Sequence, residues 1–147
     1  MPALKLGELP FQVLKMQLGL LSSYEIAIEL LKDFKVSFPE IQIKAILADN
    51  LYGHLPFMQE IEALWPKMQL IVKMRKNQKI NYGKKSYAVS EHFASYGGWE
   101  QRITIRGRES KVICGNGSRL YVRSHDAKRF VIAMKYEGEK EYRYLMT

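Results

Sequence analysis

The chain has 147 residues, 47% of them hydrophobic, enough to build one domain with a full core. Its single cysteine, Cys114, excludes an internal disulfide framework and suits a reducing cytoplasm. No apolar run approaches a membrane span, and Lys5, Glu8, Lys15 and Gln17 break any signal-peptide core. The net charge of +8 is uneven: residues 1–66 hold 5 Lys/Arg against 8 Asp/Glu, and residues 67–147 hold 18 against 7. A second half of net +11 points to a polyanionic partner.

Residues 1–20 are ambiguous, with Phe11 to Met16 readable as a short strand or a helical turn. Ser22-Ser-Tyr-Glu25 carries a capping-box signature and opens a helix over 22–36, with Ala27, Leu30, Leu31 and Phe34 on one face. Pro39 prevents its continuation. Ile43 to Ala48 runs apolar without alternation and reads as a strand buried on both faces. Pro56 suits the first turn of a second helix reaching Leu64, with Phe57, Met58, Ile61 and Leu64 turned inward. Gln69 to Met74 reads as the next strand, so residues 41–74 form a parallel strand–helix–strand unit.

From Arg75 the pattern becomes β-rich. A basic loop spans Arg75 to Lys79, a short strand 86–89, and a helical turn lies around Ser90 to Ala94. Glu100 to Arg106 pairs with Ser110 to Cys114 across Gly107-Arg108. Gly115-Asn-Gly117 then reads as another turn, into Arg119 to Arg123, and a last hairpin joins Arg129–Tyr136 to Glu141–Met146. The fold class is therefore α/β followed by mainly β, with residues 1–74 as one part and 75–147 as a basic β-rich part.

Two features carry chemistry. Asp49 stands where the strand leaves the sheet, the end at which open α/β sheets place ligands. Position alone leaves it as a helix cap or a metal ligand, the cap being the plainer reading. The second feature is a set of cations suited to backbone phosphates: Arg75, Lys76, Lys79, Lys84, Lys85, Arg102, Arg106, Arg108, Arg119 and Arg123. Strand alternation places Arg119, Tyr121 and Arg123 on one face, whereas Trp99 and Phe130 read as core. His54, His92 and His125 are too scattered to form a ligand set, and Cys114 reads as a small strand residue. Phosphate loops, Cys pairs and zinc helices are missing from the sequence.

The segment Ile46-Leu-Ala-Asp-Asn-Leu-Tyr-Gly53, then a helix, then Ile71-Val-Lys-Met-Arg-Lys-Asn-Gln78, resembles bacterial insertion-sequence transposases of the DDE type. Val89-Ser-Glu-His-Phe, Trp99, Ile103-Thr-Ile-Arg-Gly107, Arg119-Leu-Tyr-Val-Arg123, Val131 to Tyr136 and Tyr144 to Thr147 follow in similar order. The resemblance covers roughly residues 20–147. It implies a partial RNase H-like core over 1–74, interrupted by a β-rich insertion over 75–147. It also implies Mg²⁺-dependent cleavage and transfer of DNA strands at transposon ends, with Asp49 the second of three metal-binding acids. The first acid and the final glutamate find no match here. The resemblance thus implies a truncated enzyme, inactive alone, whose open sheet edge beside residues 41–48 invites self-association. A non-catalytic nucleic-acid-binding module is the alternative.

Overall fold

A computed structural model describes residues 21–115 and 117–147. The ambiguous segment at Phe11–Met16 lies outside the described residues. Contacts divide the chain into Met1–Gln42 and Ile43–Thr147, rather than at position 74.

In the first unit, α1 spans Ser23–Ser37. The backbone N–H of Ser22 donates to Glu25 Oε2 at 2.9 Å, so the expected capping interaction forms. Phe38 closes the helix by donating its N–H to Phe34 O, immediately ahead of Pro39. Ile28 is the buried residue of this helix, while Leu30, expected on the apolar face, is exposed.

The second unit is mixed α/β around an open sheet of nine strands. These are β1 (Ala45–Ala48), β2 (Gln69–Met74), β3 (Lys79–Tyr82), β4 (Lys85–Ala88), β5 (Trp99–Ile105), β6 (Arg108–Cys114), β7 (Ser118–Val122), β8 (Ala127–Tyr136) and β9 (Arg143–Met146). Two helices, α2 (Leu55–Leu64) and α3 (Val89–Phe93), complete it. The main order is β1-β2-β9-β8-β7-β3-β4, and β5 joins through β6, which pairs with β8. The sheet therefore runs unbroken across position 74, because β9 from the basic half pairs antiparallel with β2.

The strand–helix–strand unit is present: β1 and β2 pair in parallel, with α2 between them. Its first strand is not buried on both faces. β1 ends the sheet, and Leu47 is 76% exposed. The continuous apolar run belongs here to a strand with one neighbour. The glycine turns explain the hairpins. Arg106 and Gly107 both have positive φ (51° and 75°), the type I′ geometry that matches strand twist, so the β5–β6 turn falls one residue earlier than Gly107-Arg108. Gly83 (φ 62°) opens the β3–β4 turn.

Gly115–Gly117 does not reverse the chain. β6 and β7 both pair antiparallel with β8, along Cys114↔Met134 and then Ser118↔Val131, so they run in one direction beside it. Glycine is needed for closeness rather than for a turn. A Cβ on Gly115 would lie 3.0 Å from Ala133 Cβ, and one on Gly117 would lie 2.9 Å from two carbons of the Phe130 ring.

Within this unit the core occupies one face of the sheet. Leu70, Val72, Ile80, Val122, Val131 and Met146 are buried there. Phe57, Met58 and Ile61 of α2 are buried too, each contributing about 1.5–3 kcal/mol of hydrophobic stabilisation. Phe93 of α3 meets Tyr144 with ring centroids 6.0 Å apart. A partly buried polar link ties α2 to this face. Arg129 Nη1 donates to Glu62 Oε1 at 2.6 Å, and Arg129 Nε donates to His125 Nδ1 at 3.3 Å. His125 Nε2 lies 2.8 Å from the carbonyl oxygen of Gly53.

Candidate nucleic-acid interface

Because β1 and β2 are parallel, their carboxyl ends lie at the same end of the sheet, bringing Asp49 and the Arg75–Lys76 turn to one place. Asp49 caps the short 3-10 turn Asn50–Tyr52: its Oδ1 accepts from the Asn50 N–H at 2.7 Å. The cap of α2 is instead His54, whose Nδ1 accepts from the Phe57 N–H at 3.3 Å. The Asp49 carboxylate is exposed, and its other oxygen has no partner among the described residues.

Next to it opens a cleft of about 880 Å³, floored by Met74 and Tyr144 and lined by Asn50. Lys73, Arg75, Lys76, Lys140 and Arg143 supply its cations, against Glu139 and Glu141. Both acids are engaged. Glu141 pairs with Lys76 at 3.5 Å, and Glu139 pairs with Arg143 while also accepting from the Tyr136 N–H at 3.0 Å. The Arg143 guanidinium pushes the Glu139 carboxyl below its ordinary range, and Glu139 in turn raises Arg143. Lys73, Arg75 and Lys140 form no ion pair among the described residues, so the cleft presents uncompensated positive charge. A groove of this charge can hold phosphate oxygens.

The ten cations expected to bind nucleic acid do not form one row. Arg75 and Lys76 line the cleft. Lys79 and Arg119 lie on the open sheet face, and Lys84 and Lys85 lie at the tip of the β3–β4 hairpin. Arg106 sits in the β5–β6 turn. Arg102 reaches Glu109 at 3.5 Å, and Arg108 projects from the opposite face of that hairpin. Arg123 begins the 3-10 turn Arg123–His125 beyond β7, so it leaves the alternation that joins Arg119 to Tyr121.

Other side chains also depart from expectation. Trp99 and Phe130, expected in the core, are 50% and 42% exposed. His125 is buried at 2% exposure, and desolvation lowers its pKa below the ordinary histidine value. His92 packs between Tyr82 and Tyr96 and is also lowered by burial. Cys114 closes β6 as a free thiol. Lys73, Lys140 and Arg143 lie outside the expected set because no run of basic residues contains them. Lys73 did carry a signal, as the one charge inside an otherwise apolar strand.

The described residues do not by themselves complete a metal site. Asp49 brings one carboxylate, and no group of three or more His, Cys, Asp or Glu side chains converges among them. No helix among them is long and apolar enough to cross a membrane. Comparison with protein-family models, with curated proteins and with solved structures finds no match to this chain.

Proposed function

We propose that this chain is the DNA-contacting part of a strand-transfer enzyme of the DDE transposase type, working in the cytoplasm. On this reading its strand–helix–strand unit belongs to an RNase H-like core, and Asp49 supplies one carboxylate of a Mg²⁺ site. The remaining ligands come from outside the described residues, and these residues alone carry out no strand cleavage. One observation carries the reading. Asp49 leaves the carboxyl end of a parallel strand pair beside a cleft where Lys73, Arg75 and Lys140 lack acidic partners. Cations there would grip the phosphates on either side of the position at which a carboxylate-held metal belongs.

The test compares wild type with Asp49→Asn in duplex-DNA binding, with EDTA and with Mg²⁺. Without metal, the Asp49 charge repels a nearby phosphate, and its removal tightens binding by up to about fivefold, a repulsion of about 1 kcal/mol. Adding Mg²⁺ closes or reverses that gap, because the wild-type carboxylate then holds the ion against the phosphate. Mg²⁺ competition for DNA acts equally on both proteins and cancels from the ratio. An unchanged ratio defeats the metal-ligand role and leaves the alternative, a non-catalytic DNA-binding module. That alternative is favoured by the cap bond that Asp49 Oδ1 accepts from the Asn50 N–H. Absence of binding at low salt defeats both.

A further inference from the structure

We propose that the open face of β3, β7 and β8 is a binding platform for single-stranded DNA, separate from the cleft beside Asp49. The register brings its members together: Arg119 lies opposite Phe130, Tyr121 opposite Lys128, and Asn81 opposite Tyr121. Lys79 shares the face by strand alternation. The face opposite carries the core, so these side chains look outward.

Three properties select the ligand. First, charge: Arg119, Lys128 and Lys79 form no ion pair among the described residues, and the nearby carboxylate of Asp126 is engaged by the Tyr121 hydroxyl. Second, an aromatic ring is displayed where a buried one would be the norm. Phe130 is 42% exposed, and its ring lies against Gly117, where any Cβ would come within 2.9 Å of it. The absence of a Cβ at Gly117 leaves the room that this ring occupies. Third, an amide side chain lines the groove on the same face. Asn81 Oδ1 is buried without a partner among the described residues, in a concavity it lines with Arg119, Tyr121 and Lys128.

Cations, an exposed ring and an unsatisfied amide on one flat sheet are what an unpaired nucleotide requires. The phosphate takes the guanidinium, the base stacks on the ring, and its edge meets the amide. A duplex keeps its bases stacked on one another and cannot use the ring. The proposal rests on the DNA reading above and assigns it a second contact of a different kind: displaced single strand on the sheet, duplex in the cleft.

The experiment measures binding of an oligo(dT) strand and of a duplex across a salt series, using wild type, Phe130→Ala, Phe130→Trp and Arg119→Ala. Phe130→Ala should weaken oligo(dT) binding roughly tenfold at every salt concentration, without altering the salt slope or duplex affinity. Phe130→Trp should restore or exceed wild-type affinity, which also guards against a folding artefact. Arg119→Ala should flatten the slope of log K against log salt by roughly 0.7 for the single strand. The platform is overturned if Phe130→Ala binds oligo(dT) like wild type, or loses duplex and single strand alike. Intact duplex binding in that case leaves the cleft reading standing. Failure of wild type to bind either form removes both.

Discussion

Replacing His125 with glutamine should flatten the dependence of stability on pH. His125 is 2% exposed, with Nε2 at 2.8 Å from the Gly53 carbonyl oxygen and Nδ1 accepting from Arg129 Nε at 3.3 Å. A carbonyl only accepts and a guanidinium only donates, so the ring must be the neutral tautomer with its proton on Nε2. A second proton on Nδ1 would face the Arg129 N–H directly. Desolvation is the main force lowering the pKa. The Gly53 hydrogen bond opposes it, Arg129 and His54 lower the value further, and Glu62 raises it. The unfolded chain takes up a proton near the ordinary histidine value of about 6.5, and the folded chain resists until lower pH. Stability is therefore complete above about pH 6.5 and declines as pH falls from there to the lowered folded value. The slope in that window is at most about 1.4 kcal/mol per pH unit. Glutamine can still donate to Gly53 but does not titrate. Urea unfolding at several pH values between about 5 and 8 would measure both proteins, with carboxylate titration common to the two. Parallel curves would refute the assignment of a buried neutral imidazole.

Gly117→Ala should cost about 1–3 kcal/mol, since its Cβ would meet the Phe130 ring at 2.9 Å. Adding Phe130→Ala should recover most of that loss, and a denaturation cycle in which the two changes simply add would show the clash is not the cause. Glu62→Gln should lose roughly 1–2 kcal/mol by weakening the bond to the nearly buried Arg129, with Glu62 itself 39% exposed at its side chain. Thermal unfolding reads this, and no shift in midpoint would dismiss the link as structural support. Leu47→Lys, at an edge-strand residue 76% exposed, should suppress concentration-dependent association in sedimentation at little cost in stability. Equal association by wild type and variant would clear the β1 edge.

Local signals in the chain were readable where a single short-range cause decides the outcome. Pro56 and the spacing of Phe57, Met58 and Ile61 define α2, and glycines at 83 and 107 sit in tight turns that join neighbouring strands. What escaped the sequence depends on partners far along the chain. Nothing in Gly115-Asn-Gly117 says whether the chain reverses or runs on, because the reason for glycine is Ala133 and Phe130 on another strand. Ile43 to Ala48 reads as buried on both faces because hydrophobicity does not record what covers a strand, and Leu47 on β1 is instead exposed at the sheet edge. The site divides in the same way. Asp49 was visible from its place after an apolar run, whereas the cleft beside it joins Lys73 to Lys140, cations 67 positions apart that meet through the β2–β9 pairing. His125 was invisible as a structural centre for the same reason, since its partner Gly53, and Glu62 which holds its other partner Arg129, belong to the first strand–helix unit.

The two roles open for Asp49, cap and ligand, use different oxygens and can be separated by three proteins. Oδ1 takes the Asn50 N–H at 2.7 Å, a bond that an asparagine oxygen can also accept. Asp49→Asn should therefore keep the turn Asn50–Tyr52 and unfold within about 0.5 kcal/mol of wild type. Asp49→Ala loses the acceptor and should cost about 0.5–1 kcal/mol, at the low end for caps because the bond is exposed and the turn short. If capping is the whole function, the alanine protein alone is impaired and the asparagine protein binds DNA with the wild-type response to Mg²⁺. If the carboxylate holds a cation, both variants lose that response equally despite their different stabilities. Loss of the Mg²⁺ response with asparagine, at unchanged stability, is an outcome no capping role can produce. A wild-type response from that protein would return Asp49 to the status of an exposed cap.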